Sequence, residues 1–269
     1  MIRAQTRAKI KGFLEGFLDA QLIKHEKLVA SEKGDRKVRA AAKAGKLKPF
    51  HLAILPPEAG RLFSFERSFS TSLGNTFEEC ARLISADVHK EVARNRVLFG
   101  KVSHVCLEEI ERVRSLIDGG KCVDYPSVVE NILKASSKQE VQIRTITDVY
   151  LKAKSGEEYY FEIKSPKPNK GQAIEVTDRL LRTHAIRRLG PPKVKTYFAM
   201  AYNPYGTRAD YTHGFATQHL DMKNQVLIQE EFWDIVGGAG TYKELLDIYL
   251  EVGREKGRQV IQRLGYEFN

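Results

Sequence analysis

The sequence predicts an α/β fold in which a mixed central sheet is flanked by helices and preceded by a helical, basic N-terminal region. Three observations carry this. The 269 residues are 42% hydrophobic and 29% charged, enough to fill a sizeable core without disulfide staples. Residues 141–151 (VQIRTITDVYL) and 158–164 (EYYFEIK) are rich in β-branched and aromatic residues and alternate in polarity, as half-buried strands do. Around them, apolar residues recur at helical spacing in several stretches.

In chain order, Ile10, Phe13, Leu14, Phe17, Leu18 and Leu22 form one apolar helical stripe. A basic stretch from Lys24 to Lys48 follows, and Pro56-Pro57 closes it. A short helix near 61–72 is expected next. A longer one should run from Asn75 to Arg96, burying Phe77, Ala81, Ile84, Val88 and Val92. Two amphipathic helices near 107–118 and 126–136 are separated by Asp118-Gly119-Gly120 and Pro126. Ser155-Gly156 marks a turn between the strands at 141–151 and 158–164. A basic helix spans about 170–189 and ends at Gly190-Pro191-Pro192. A strand from Val194 to Ala201 leads into the turn Asn203-Pro204-Tyr205-Gly206. A strand at Gln225–Ile228, a loop at Gly237-Gly238-Ala239-Gly240 and a helix from Tyr242 complete the chain. The expected division is a basic helical region, 1–57, and a second domain, 58–269.

Forty-four Lys and Arg against thirty-four Asp and Glu give a net charge of +10. Such an excess favours a polyanionic partner, nucleic acid or an acidic membrane surface. Residues 1–50 carry 13 basic and 5 acidic side chains, so this segment alone holds an excess of eight. Its Lys33, Arg36, Lys37, Arg39, Lys43, Lys46 and Lys48 read either as a solvated face or as a phosphate-contacting arm. Cys80, Cys106 and Cys122 are too scattered for a disulfide framework or a thiolate zinc site. No apolar run reaches the roughly 20 residues of a membrane span. The N-terminus lacks the apolar core and cleavage site of a signal peptide, so a mature protein of the reducing cytoplasm is expected.

The chemistry concentrates at Thr147-Asp148 and Phe161-Glu162-Ile163-Lys164. Residues two apart on a strand share a face, so Glu162 and Lys164 point one way while Phe161 and Ile163 point to the core. A hairpin folded about Ser155-Gly156 pairs residues whose numbers sum to about 311, which sets Asp148 opposite Glu162 and Lys164. Two carboxylates at one point raise each other's pKa unless a cation is present. Mg²⁺ suits such a pair, since it binds through one or two carboxylates plus phosphate oxygens. Lys164 beside it can orient a water or offset charge on a phosphoryl group in transfer. A basic chain with this site has the parts of a phosphodiester hydrolase.

Asp148 followed by Glu162-x-Lys164 across a hairpin resembles the PD-(D/E)xK nuclease signature, with Thr147 in place of the usual proline. That resemblance implies a restriction-endonuclease-like fold for the sheet and its helices. The superfamily often carries an acidic residue upstream in a Gly-x-x-Phe-Glu context, and Gly74-Asn75-Thr76-Phe77-Glu78 matches it. Glu78 is thus implied to support the metal shell, with Glu79 and Glu66 as competitors. The helix after Lys164 is where such nucleases contact DNA. Lys167, Lys170, Gln172, Arg179 and Arg182 are the implied contacts, and the basic side of that helix reads equally as a solvated face. A narrower set of blocks is similar to the TdeIII-type restriction endonucleases: Phe161 to Asn169, Tyr202 to Gly206, and Glu231 to Gly238 with Gly240-Thr241-Tyr242. The resemblance implies a Mg²⁺-dependent type II restriction endonuclease cutting duplex DNA at short GC-rich palindromes of the GGNCC kind. The products would be a 5′-phosphate and a 3′-hydroxyl. A palindromic target further suggests a homodimer.

Other motifs are weaker. Asn203 and Arg208 lie beyond a strand end. Asn-Pro-Tyr-Gly reads first as turn chemistry, and Arg208 as a base-reading side chain. Gly237-Gly238-Ala239-Gly240 lacks the Gly-Lys-Ser/Thr ending of a phosphate loop, so no nucleotide cofactor is expected. The seven histidines lack zinc-enzyme spacing. Trp233 reads as a core anchor. Two competing functions remain at this stage: a repair or junction-resolving nuclease of the same fold, and a non-catalytic basic DNA-binding protein.

Overall fold

A computed structural model describes residues 1–31, 49–54, 57–188 and 193–264. The basic side chains from Lys33 to Lys48, and Pro56, Leu189 and Gly190-Pro191-Pro192, lie outside the described residues. The elements in order are α1 (Ala4–Ser31), α2 (Pro49–Ile54), α3 (Pro57–Ser85), β1 (Glu91–Ser103), α4 (His104–Asp118), α5 (Tyr125–Lys134) and β2 (Glu140–Lys152). They continue with β3 (Glu158–Lys164), α6 (Lys170–Arg187), β4 (Val194–Met200), α7 (Gly214–His219), β5 (Val226–Ile228), α8 (Glu230–Gly237) and α9 (Thr241–Arg263). No described helix is long and apolar enough to cross a membrane. The contacts divide the chain into two compact units. One comprises residues 1–6 and 77–244, the other residues 7–76 and 245–269.

The second of these units is helical. The predicted stripe of α1 is present, with Ile10, Leu14 and Leu22 fully buried. Phe17 packs on Phe69 of α3 with ring centroids 5.5 Å apart, and His25 meets Phe65 edge-on. Ion pairs link α1 to α9: Arg7 and Lys11 reach Glu251, and Arg263 reaches Glu26. Such exposed pairs add little each and serve mainly to fix alignment.

The first unit contains a five-stranded sheet in the order β1-β2-β3-β4-β5. β2 runs antiparallel to both β1 and β3, while β3, β4 and β5 are parallel. The parallel step from β3 to β4 needs a crossover, and α6 supplies it. That helix starts where the sequence forces it. Asn169 accepts from the Gln172 backbone N–H while the Gln172 side chain accepts from the Asn169 N–H, a complete capping box. Its buried residues Ala173, Val176, Leu180 and Leu181 join Ile110, Val113 and Ile117 of α4, Ile132 of α5 and Phe198 and Met200 of β4 in the main core. Elsewhere in the unit Phe232 of α8 meets Phe161 edge-on at 5.2 Å. The Trp233 indole N–H donates to the Ala201 carbonyl at 2.7 Å, as a buried anchor requires.

The hairpin register is close to expectation, with Val149 opposite Phe161 and Tyr150 opposite Tyr160. One expectation fails. Residues 75–96 are not a single helix: α3 is continuous through Gly74 but ends at Ser85, and 91–103 form β1. Phe77, Ala81 and Ile84 do satisfy a helical stripe, but Val88 is exposed and Val92 pairs with Leu151. Beyond Ser85 the apolar positions fit both periods, and pairing with β2 along its whole length decides for strand. Gly100 is required there, because a Cβ would stand 2.7 Å from Cγ2 of Ile186 on α6. The short helices α2, α7 and α8 fall where the sequence offers no periodic stripe long enough to count.

Buried His184 of α6 makes folding sensitive to acid. Its Nε2 lies 3.0 Å from the Thr196 hydroxyl, which in turn bonds to Tyr125. Burial lowers its pKa from 6.5 to about 4. The unfolded chain therefore takes up a proton that the folded one refuses, and stability falls as pH drops from 6.5 towards 4. The expected loss is about 3 kcal/mol across that window. Glu162, with its pKa raised to about 7, contributes with the opposite sign in this window, so the His184 effect is read as a difference: urea midpoints of the native chain should fall relative to those of His184→Gln as pH drops from 6.5 towards 4.

Candidate active site

Asp148 meets Glu162 and Lys164 where β2 separates from β3. Asp148 lies one residue before Val149, which forms the last register pair of the hairpin with Phe161, so the backbone ladder has run out beside it. Its Oδ2 accepts the Ile163 backbone N–H at 2.8 Å and the Lys164 ammonium at 3.0 Å. Thr147, at the position where the resembling signature has proline, donates to the Phe161 carbonyl at 2.9 Å. Lys164 Nζ also lies 3.4 Å from Oε2 of Glu162. The expected convergence of Asp148, Glu162 and Lys164 is therefore present.

Strand alternation predicts that Glu162 lies on a polar face. In the fold α6 covers that face, and the Glu162 side chain is only 1% exposed. Burial, reinforced by the charge of Asp148, pushes its pKa up to about 7, against the pull of Lys164 and Arg179. Burial works against the Lys164 ammonium too, but the charges of Asp148 and Glu162 outweigh it and hold its pKa above the usual lysine value. Lys164 is thus protonated at neutral pH.

Glu162 carries an internal contrast with Glu158, the buried carboxylate at the other end of the same strand. Glu158 Oε1 accepts from the Tyr150 hydroxyl, and Oε2 accepts from Tyr160 and pairs with Arg187 at 2.8 Å. Both of its oxygens are satisfied. On Glu162, Lys164 and Arg179 both address Oε2, and Oε1 is buried with no hydrogen-bond partner. Buried carboxylate oxygens without a partner are costly, so this one marks a place for a cation or donor. Two hard oxygen donors, one of them unpartnered, fit a divalent ion such as Mg²⁺. Among the described residues no group of three or more His, Cys, Asp or Glu side chains is spaced to hold a metal, so the fit rests on the pair.

Glu78, on α3, is partly buried and bonded to Arg94 of β1 at 2.7 Å. Burial raises its pKa, the Arg94 bond opposes this, and the charge of Asp148 adds to the rise. Glu79 instead faces away into Arg82 and Arg94, and the Arg82 hydrogen bond holds its pKa low. Glu66 lies in the helical unit, where it accepts from Ser70. Glu78 is in electrostatic reach of Asp148 and Lys164.

The remaining site residues are placed as follows. Lys167 is poised over the Tyr205 ring at 5.5 Å. Lys170 bonds to the Asp118 carbonyl and carboxylate, each at 2.7 Å. Gln172 closes the α6 capping box. Arg182 pairs with Asp178 at 2.7 Å. Arg179 points at Glu162, its Nη1 3.0 Å from Oε2. Asn203 shapes its turn, accepting from the Tyr205 N–H and donating to the Thr207 carbonyl. Arg208 ties that loop down, bonding to the Met222 and Val226 carbonyls and to Glu231. Sequence reasoning missed Arg94, which orders Glu78, because the segment carrying it reads as helix. It also missed the inward aim of Arg179.

The family described as "Type II restriction endonuclease, HinfI" matches residues 2–253. The chain is 41% identical over 266 residues to the type II restriction enzyme HgiCII of Herpetosiphon aurantiacus, covering 96% of this chain and 97% of that protein. It is 40% identical, with the same coverage, to the type II restriction enzymes HgiEI and HgiBI of that organism. No solved structure matches the chain.

Proposed function

The chain belongs to the HinfI family of type II restriction endonucleases, and from that premise we propose that Asp148, Glu162 and Lys164 form its hydrolytic centre, of the PD-(D/E)xK kind. As a type II restriction enzyme it is a site-specific deoxyribonuclease, and duplex DNA is its substrate. The observation that carries the residue assignment is the buried, unpartnered Oε1 of Glu162 beside Asp148 and Lys164.

Asp148 and Glu162 would hold Mg²⁺, which when bound supplies polarisation of a phosphoryl oxygen and an acidified water. Lys164 acts as a donor, its ammonium lying 3.0 Å from Asp148 and 3.4 Å from Glu162. Its ammonium orients the attacking water and offsets negative charge on the phosphoryl group. Glu78, ordered by Arg94, supports the pair from behind. Water attacks the phosphorus in line and leaves a 5′-phosphate and a 3′-hydroxyl. Both Arg94 and Arg179 neutralise acids within the centre, which limits repulsion between carboxylates and the incoming phosphate.

Lys167, Lys170 and Arg182 are the proposed phosphate contacts. Gln172, Asn203 and Arg208 would have to exchange internal partners for DNA, which makes them dependent on loop rearrangement. The nuclease domain lies within 58–269, and the basic region 1–57 adds sequence-independent contacts. The target is a short, GC-rich palindrome of the GGNCC kind, cut by a homodimer whose two-fold axis matches that of the site. The reading includes no nucleotide cofactor and a cytoplasmic setting.

Incubation of plasmid DNA with the protein and Mg²⁺ tests this reading. Discrete fragments that require the divalent ion are expected. A smear, or cutting confined to branched DNA, would favour a shape-selective nuclease instead. Binding without any cutting would leave only the DNA-binding alternative.

A further inference from the structure

By sequence Arg179 falls among the DNA contacts, but its position in the fold argues for a different task. It sits on α6 at the edge of the helix's buried side, between the core residues Val176 and Leu180. Its Nη1 reaches Oε2 of Glu162 at 3.0 Å, and its Nη2 is taken by Glu175 one turn earlier. Lys164 addresses the same Oε2. Two cations therefore converge on one oxygen of Glu162, and the other oxygen is left buried with no partner.

We propose that Arg179 is a positioning residue, which fixes the Glu162 carboxylate so that Oε1 is the oxygen presented to a divalent cation. The inference rests on the two-carboxylate cation site proposed above. The terminal torsion of glutamate is broad and nearly two-fold, so the carboxylate does not by itself choose which oxygen faces where. A planar guanidinium held at both ends can impose that choice. Lys164 is a point charge on a flexible stem and cannot. The geometry matches the general behaviour of metal sites, in which a partner behind the ligand orients it and its removal costs about 10–100-fold in metal affinity. The Glu175 pair supplies the far anchor: it holds the fork in plane from the same helix.

The test compares Arg179→Gln and Arg179→Lys with the native full-length chain. Mn²⁺ binding to the DNA-free protein is read from the loss of the free-ion electron paramagnetic resonance signal. Duplex binding is measured in metal-free buffer across a salt series. The expected result for Arg179→Gln is Mn²⁺ affinity lower by about 10–100-fold, with metal-free duplex affinity and its salt slope unchanged. Arg179→Lys should fall between, because it keeps the charge and loses the fork. Cleavage by Arg179→Gln should recover in part as the Mn²⁺ concentration is raised. Mn²⁺ affinity within twofold of native would overturn the proposal. So would a salt slope shallower by about one with metal affinity retained, which is the signature of a phosphate contact. If Arg179→Gln does not fold, Glu175→Gln replaces it: that side chain is half exposed, and its loss should weaken Mn²⁺ severalfold, while unchanged affinity refutes the clamp. Glu162→Gln separates the two levels. Native Mn²⁺ affinity in Glu162→Gln sinks the cation site itself. Loss there with no loss in Arg179→Gln sinks only the positioning role.

Discussion

Replacing Lys164 by alanine is expected to lower the rate of DNA cleavage by about a hundred- to a thousandfold, comparable to removing one preorganised donor from a charge-stabilising site. The ammonium lies 3.0 Å from Asp148 and 3.4 Å from Glu162, so its loss removes a cationic donor shared by both carboxylates. Duplex affinity should change by only a few-fold, because the charge removed is already paired internally. Single-turnover cleavage and metal-free binding, measured on the same preparation, separate these effects. Asp148→Asn makes a clean companion. An amide oxygen can still accept the Ile163 N–H, so the fold is retained while a charged oxygen donor is lost. It too should be inactive at Mg²⁺ concentrations that saturate the native enzyme. More than a tenth of native activity in either variant would remove Lys164 or Asp148 from the proposed centre.

The largest stability effect is expected at Trp233. Its ring is fully buried, stacks at an angle on Phe232 with centroids 4.8 Å apart, and donates its N–H to the Ala201 carbonyl. Trp233→Ala should cost about 3–5 kcal/mol through lost burial and a residual cavity. Trp233→Phe keeps much of the volume but orphans a buried carbonyl, and should cost about 1–3 kcal/mol. Denaturant titration with unchanged m-values is the check. A loss below about 1 kcal/mol for the alanine variant would mean that the ring does not anchor this side of the sheet. Because Phe232 braces Phe161, the neighbour of Glu162, cleavage should fall alongside stability in Trp233→Ala.

Much of this architecture could be read from residues alone, and the exceptions have physical causes. β2 and β3 are legible because alternation and a turn dipeptide agree about them, and α6 and β4 because Gly190-Pro191-Pro192 separates a basic helical run from a β-rich one. The pairing of Asp148 with Glu162 and Lys164 follows from hairpin arithmetic, which needs no tertiary information. β1 is not legible. Its arginines and valines satisfy a helical stripe almost as well as a strand, and only pairing with β2 removes the ambiguity. The burial of Glu162 and the aim of Arg179 are also hidden. Both depend on how α6 is rotated against the sheet, and that is decided by packing of Ala173, Val176, Leu180 and Leu181 rather than by spacing. Arg208 looks like a free base-reading side chain in sequence, whereas three backbone or carboxylate partners hold it in the fold.

The departure of β2 from β3 leaves an open end that the backbone no longer zips. Two side chains stitch it, Thr147 to the Phe161 carbonyl and Asp148 to the Ile163 N–H. The acid proposed to grip the ion is therefore also a fastener of the strand alignment. A slip of one residue would turn it to the opposite side and undo its own stitch. Misalignment and loss of cutting thus become a single event, so a wrongly zipped copy would be a harmless one.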